Sequence, residues 1–232
     1  TDHEDQPMSE RGIEVWYREA VESFIEFART LSEEDWKVDV SCNPGWTVRD
    51  VLSHVSGIPD DGLAGRTDGA ATEPWTASQV ERNAHFTVEE LLERWESQYA
   101  IFGQAIAAMG EYRPPFDCHA HEHDVRQALG RPGNRDSAII DDAAAALITG
   151  FTDLPIALTV EFDDGAALDG GDPDADTTVR LATTRFEIFR SRLGRRTPGQ
   201  LRSLDWSGDD AAIDQVVGAW FQFGPSEIEI VE

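Results

Sequence analysis

Apolar side chains recur at helical spacing through most of the first 150 residues and then switch to strand alternation. No other feature of the sequence constrains the fold as much. Ile13, Trp16, Tyr17, Ala20, Phe24, Phe27 and Leu31 form one stripe over residues 11–31. Asn43-Pro44-Gly45 breaks the chain, and Thr47-Val48-Arg49-Asp50 reads as a capping-box-like start. The short helix that follows carries Val48, Val51, Leu52 and Val55 and is predicted to end at Gly57 or before Pro59. Residues 59–74 read as a loop, and residues 76–83 as a short helix. Thr87-Val88-Glu89-Glu90 caps a long helix with Leu91, Leu92, Trp95, Tyr99, Phe102, Ile106 and Met109 on its apolar face. Arg113-Pro114-Pro115 reads as a stop, with a helix predicted from Phe116 to Leu129, a terminator at Gly130-Arg131-Pro132-Gly133, and another helix over 136–150.

Beyond Pro155 the run Ile156–Phe162 alternates as a strand does, and Thr177–Leu181 repeats the pattern. The Gly- and Asp-rich span 163–176 between them reads as a loop or hairpin tip. Helices are predicted over 184–193 and 209–221, and a last short strand over 228–231. The expected class is therefore α+β, with a helical bundle over residues 1–153 and a small α+β domain over 154–232.

Charge removes several function classes. The 232 residues hold 45 acidic against 19 basic side chains, a net charge of -26, and Lys37 is the single lysine. A surface this acidic repels phosphate backbones and anionic lipid, so nucleic-acid and membrane partners are not expected. Two causes fit the acidity, adaptation to high salt, where screening tolerates self-repulsion, and a genome of biased composition that replaces Lys with Arg; the excess of acid over base favours the first. No stretch approaches the ~20 apolar residues that span a bilayer. The start TDHEDQPMSERG lacks the basic and apolar segments of a secretory signal, so a cytoplasmic location is expected. Cys42 and Cys118 form no CxxC pair and are expected to be reduced thiols.

The chemistry-bearing segment is Asp117-Cys118-His119-Ala120-His121-Glu122-His123-Asp124. On a helix, Asp117 and His121 share a face at the i, i+4 spacing that grips one metal ion, and His119 with His123 forms a competing pair on the opposite side. Spacing alone does not choose between the two faces. Asp124 lies near His121 and is placed either to orient that imidazole or to serve as a fourth ligand. His54, beside the apolar stripe of its helix, is the leading third donor, since a buried imidazole needs a partner on each nitrogen. Two His and one carboxylate around Zn²⁺ leave a coordination position open, the pattern of a catalytic site.

Four motifs in order carry a resemblance over most of the chain: Gly45-Trp46-Thr47-Val48-Arg49-Asp50-Val51-Leu52-Ser53-His54-Val55, the segment from Glu73 and Trp75 to Val80, His121-Glu122-His123-Asp124-Val125-Arg126 with Gly130 to Gly133, and Arg190–Arg196 followed by Leu204–Asp209. Together they resemble the mycothiol-dependent maleylpyruvate isomerase family of the DinB-like superfamily. The resemblance implies a DinB-like four-helix bundle followed by a smaller sterol-carrier-like α/β domain. It implies a divalent metal, usually zinc, on the residues matching His54, Asp117 and His121, which favours that face over His119 and His123; nickel also suits such donors. The best-known members carry Glu at the acid position, where this chain has Asp117, one methylene shorter. A low-molecular-weight thiol such as mycothiol is the implied co-substrate, and the implied reaction is S-transfer to, or thiol-assisted cis-trans isomerisation of, a small electrophile. Arg195 in the Leu-Gly-Arg motif is a candidate binder of a substrate anion, with a surface arginine as the plainer reading. The alternative function is a non-catalytic metal- or small-ligand-binding DinB-like protein.

Overall fold

A computed structural model describes residues 11–152 and 154–232; the polar start over 1–10 and Asp153, at the predicted domain boundary, lie outside the described residues. The chain divides into two compact units, Thr1–Gly133 and Asn134–Glu232.

The first unit is helical. Helices α1 (Gly12–Ala28), α2 (Val48–Leu63), α4 (Val88–Met109) and α5 (Arg113–Ala128) pack as a four-helix bundle, and α3 (Glu73–Asn83) lies against α2. The apolar stripes meet in an aromatic core: Trp16 on Phe116, Tyr17 on Phe102, and Phe24 edge-on to Trp95. Thr47 and Thr87 each form a full capping box, with Asp50 and Glu90 respectively, so the local signals set both helix starts. Gly110 closes α4 in the left-handed conformation.

Helix α3 begins at Glu73, three residues before the expected start, and two further helix ends differ from the sequence expectation at prolines. Helix α2 runs through Pro59 to Leu63 instead of ending before the proline. A proline inside a helix removes one ladder bond. Here the residues just beyond it are held by tertiary bonds, Asp60 by Arg94 and Gln98, and Asp61 by Arg66, Arg82 and Gln79. Helix α5 begins at Arg113, so Pro114 and Pro115 sit inside its first turn. First-turn N–H groups have no intrahelical partner, and prolines there lose nothing.

The second unit packs α6 (Ala138–Thr149) with α7 (Arg185–Arg192) and with a four-stranded sheet of order β2-β1-β3-β4. Strand β1 (Ala157–Glu161) pairs antiparallel with β2 (Ala167–Gly171) and parallel with β3 (Thr178–Ala182), which pairs antiparallel with β4 (Asp205–Ser207). Leu158, Val160, Val179 and Leu181 alternate into one core with Ile188, Ile213, Val216 and Trp220. The fold therefore contains the expected α+β combination. Helix α6, read from the sequence as part of the bundle, has its contacts with α7 and β2.

Strand β2 falls in the span expected to be loop or hairpin tip. Its ladder partner β1 supplies the order that its own composition does not, and Gly171 (φ +72°) permits an approach to the Ile156 carbonyl that no side chain would. Residues 228–231, predicted to be a strand, form none. They are tied by side chains instead: Gln200 Nε2 donates to the Ile230 carbonyl at 2.8 Å, and Ile230 N–H donates to Gln200 Oε1 at 3.3 Å. Helix α8 (Pro198–Arg202), capped by Thr197, carries that glutamine. No described helix is long and apolar enough to cross a membrane.

Candidate metal centre

Capping at Thr47 starts α2 in the register that turns His54 inward, and the first turn of α5 sets Asp117 and His121 one turn apart. The structure brings the three together. His54 Nε2 lies 3.3 Å from Asp117 Oδ2, and His121 Nε2 lies 3.5 Å from Asp117 Oδ1. One donor atom from each residue falls within 4.8 Å of the others. Among the described residues this is the one group of three or more His, Cys, Asp or Glu side chains with that property.

The spacing fits a small divalent cation. Four ligands at the ~2.0–2.1 Å typical of zinc with N and O donors, arranged tetrahedrally, stand about 3.4 Å apart. Asp117 turns one oxygen toward each imidazole, Oδ2 to His54 and Oδ1 to His121, so the shorter acid still reaches both. The His54 and His121 side chains are 4% and 6% exposed, whereas the Asp117 side chain is 39% exposed, so the cluster opens to solvent on the carboxylate side.

Each imidazole is also held from behind. His54 Nδ1 lies 2.6 Å from Gln79 Oε1. His121 Nδ1 lies 3.1 Å from a carboxylate oxygen of fully buried Asp124. Asp124 thus contacts the nitrogen remote from Asp117, which suits the orienting role better than that of a fourth ligand. The pair-wise backbone bonds Val40 N to Trp46 O and Val48 N to Val38 O fix a short turn before α2. That turn presents Trp46 with its ring 5.2 Å from His54 and 6.3 Å from His121, while Trp75 stands edge-on to His54 at 6.4 Å. Reading the sequence did not single out Gln79, Asp61, Trp46 or Trp75 individually. Trp75 and Gln79 lie in the Trp-Thr-Ala-Ser-Gln motif, whose periodicity carries no sign of the helix it packs on.

The competing pair is placed otherwise. His119 and His123 are buried with ring centroids 4.9 Å apart, and His119 Nδ1 lies 3.5 Å from Glu122 Oε2. His123→Ala is therefore expected to leave metal content unchanged in elemental analysis while lowering stability through the cavity it opens. Equal metal loss would place the site on the wrong face of α5. Cys118 is fully buried, and burial, with the charges of Glu122 and Asp117 adding to it, pushes its thiol well above the usual range, so it is no thiolate nucleophile. Arg195 belongs to the second unit, where its Nη1 donates to the Leu193 carbonyl at 2.7 Å; it is not one of the clustered residues.

Glu122 makes acid lability of the bundle predictable. Burial raises its carboxyl, but hydrogen bonds and charge from His119 and Arg126 outweigh burial and bring it from 4.5 to about 2. Because the folded value is depressed, its contribution is complete above 4.5 and is lost as pH falls toward about 2. The loss is on the order of 3 kcal/mol. Urea unfolding of metal-free protein across that window is expected to show the fall, and Glu122→Gln to flatten it.

The fold and the cluster define a two-unit α+β protein whose helical bundle brings together His54, Asp117 and His121 as a candidate cation site. Residues 17–115 match the sequence model of the family described as the mycothiol maleylpyruvate isomerase N-terminal domain. Over that span the helical unit is similar to the N-terminal domain of that family. A crystal structure of the mycothiol-dependent maleylpyruvate isomerase shares the fold, with a TM-score of 0.50 and 13% identity over 84% of this chain and 92% of that one. A histidine-to-alanine mutant of that enzyme aligns with a TM-score of 0.51, at the same identity and coverage. No protein of curated function matches the sequence.

Proposed function

We propose that the protein is a metal-dependent enzyme that activates a low-molecular-weight thiol for S-transfer to, or thiol-assisted cis-trans isomerisation of, a small electrophile. The observation that carries this reading is the convergence of His54, Asp117 and His121, with one donor atom of each within 4.8 Å of the others and one side open. The matched family model and the isomerase structures sharing the fold support the thiol chemistry. His54, Asp117 and His121 would hold the ion, most suitably Zn²⁺. A divalent ion bound there supplies a Lewis acid that lowers the pKa of a coordinated thiol.

The chain's own residues do the rest. Gln79 and Asp124 hold the imidazoles in place from their Nδ1 sides. Trp46 and Trp75 wall the imidazoles with aromatic surface and limit water. Cys118 is buried in the core and is not one of the clustered residues, and the reacting sulfur is assigned to a separate small thiol. In isomerisation the thiol sulfur adds to a cis double bond, the resulting single bond rotates, and elimination returns the thiol. In transfer the carbon–sulfur bond persists as product.

Elemental analysis combined with monochlorobimane transfer assays using several purified thiols, mycothiol among them, and an assay of maleylpyruvate isomerisation test this reading. Turnover that depends on both thiol and metal is expected. Full metal occupancy without turnover in any of these assays overturns the enzyme and leaves a metal-binding protein.

A further inference from the structure

We propose that Gln79 and Asp61 are positioning residues that select the metal-binding tautomer of His54; this rests on the metal-site reading above. A neutral imidazole carries one proton, and only the nitrogen without it can ligate. His54 has two competing acceptors. Its Nε2 can donate to Asp117 Oδ2 at 3.3 Å, which would block ligation, or its Nδ1 can donate to Gln79 Oε1 at 2.6 Å, which leaves Nε2 bare.

The outcome turns on which end of the Gln79 amide faces the ring. Asp61 decides it. Its carboxylate is fully buried and accepts from Arg66 Nε at 2.7 Å, from Arg82 Nη2 at 2.5 and 2.6 Å, and from Gln79 Nε2 at 2.9 Å. A carboxylate bound by two guanidinium groups offers acceptors only. The Gln79 NH₂ must face Asp61, so its carbonyl must face His54, and the ring proton is drawn to Nδ1. Gln79 is itself fully buried, so no water competes for the amide.

Packing keeps the relay in reach. Gly57 lies one turn beyond His54 on α2, and a Cβ there would stand 3.0 Å from Gln79 Cβ and 3.1 Å from Asn83 Nδ2. The missing side chain lets α3 approach close enough for a glutamine to reach the imidazole. Asn83 secures the approach by donating to the Ser53 carbonyl at 2.7 Å.

Two readouts on the full chain test the proposal: Zn²⁺ affinity by chelator competition, and the His54 tautomer by long-range ¹H–¹⁵N correlation in metal-free protein, whose spectrum also reports folding. Wild-type protein is expected to show the Nδ1–H form. Gln79→Leu is expected to move the proton to Nε2 and to weaken Zn²⁺ about 10–100-fold. The double variant Gln79→Glu with Asp61→Asn rebuilds the relay with reversed polarity, since Glu accepts the Nδ1 proton and the Asn amide donates to Glu. It is expected to recover the Nδ1–H form and most of the affinity. Unchanged tautomer and affinity in Gln79→Leu, or a double variant as weak as Gln79→Leu, overturns the proposal. A wild-type chain that binds no Zn²⁺ yet shows the Nδ1–H form overturns the metal-site reading and leaves the tautomer selection standing.

Discussion

Replacing His121 or His54 with alanine is expected to reduce bound metal from about one ion per chain to background, because each removes one of three protein ligands. The effect should be near complete rather than graded. Two remaining donors hold a divalent ion far less tightly than three, and the oxygens of Gln79 and Asp124 lie on the Nδ1 sides, remote from Asp117. Thiol-dependent turnover should fall with the metal. Circular dichroism of the variants is expected to keep the helical signal, since the bundle core of Trp16, Phe24, Trp95 and Phe116 is untouched. Retention of stoichiometric metal by His121→Ala in elemental analysis would remove the basis for the site.

Glu232→Ala is expected to cost the second unit about 3–5 kcal/mol, the range for breaking a buried ion pair. Arg190 is fully buried in the core of α7, and Glu232 grips it at two points, Nη2 at 2.8 Å and Nε at 3.0 Å. The same carboxylate takes Arg196 Nη1 at 3.0 Å, while Arg196 forks onto Glu187 at 2.8 Å. Removing Glu232 strips both guanidinium groups of a carboxylate in a setting where the Glu232 side chain is only 3% exposed. The adjacent Val231→Ala, at a position 77% exposed, is the control and should stay within about 0.5 kcal/mol of wild type. Denaturant unfolding followed by the fluorescence of Trp206 and Trp220 in the second unit reads the difference. Equal stability of the two variants would mean that the cluster contributes no net stabilisation.

Which parts were legible follows from the range of the forces involved. Thr47 with Asp50 and Thr87 with Glu90 announced two helix starts because capping is settled within four residues. Strand β1 was legible from alternation, because one of its faces is buried. Strand β2 was not, since a half-exposed strand of Ala, Leu, Asp and Gly has little pattern of its own. Residues 228–231 carry a strand-like pattern, yet Gln200 claims the Ile230 backbone, and Arg190 and Arg196 claim the adjacent Glu232. Pro59 is a stop signal that holds only until tertiary partners secure the turn beyond it.

The amino-acid order by itself determined the register that sets Asp117 and His121 one turn apart, because helical geometry converts i, i+4 spacing into a shared face. It also determined the acidic surface and the change from helical to strand period. Tertiary structure alone decided that His54, 63 residues before Asp117, comes within 3.3 Å of it. It decided too that Gln79 and Asp61 stand behind that imidazole. Such convergence depends on how helices pack across distances that no local spacing encodes, and here on a glycine close approach and a buried carboxylate on separate turns of α2.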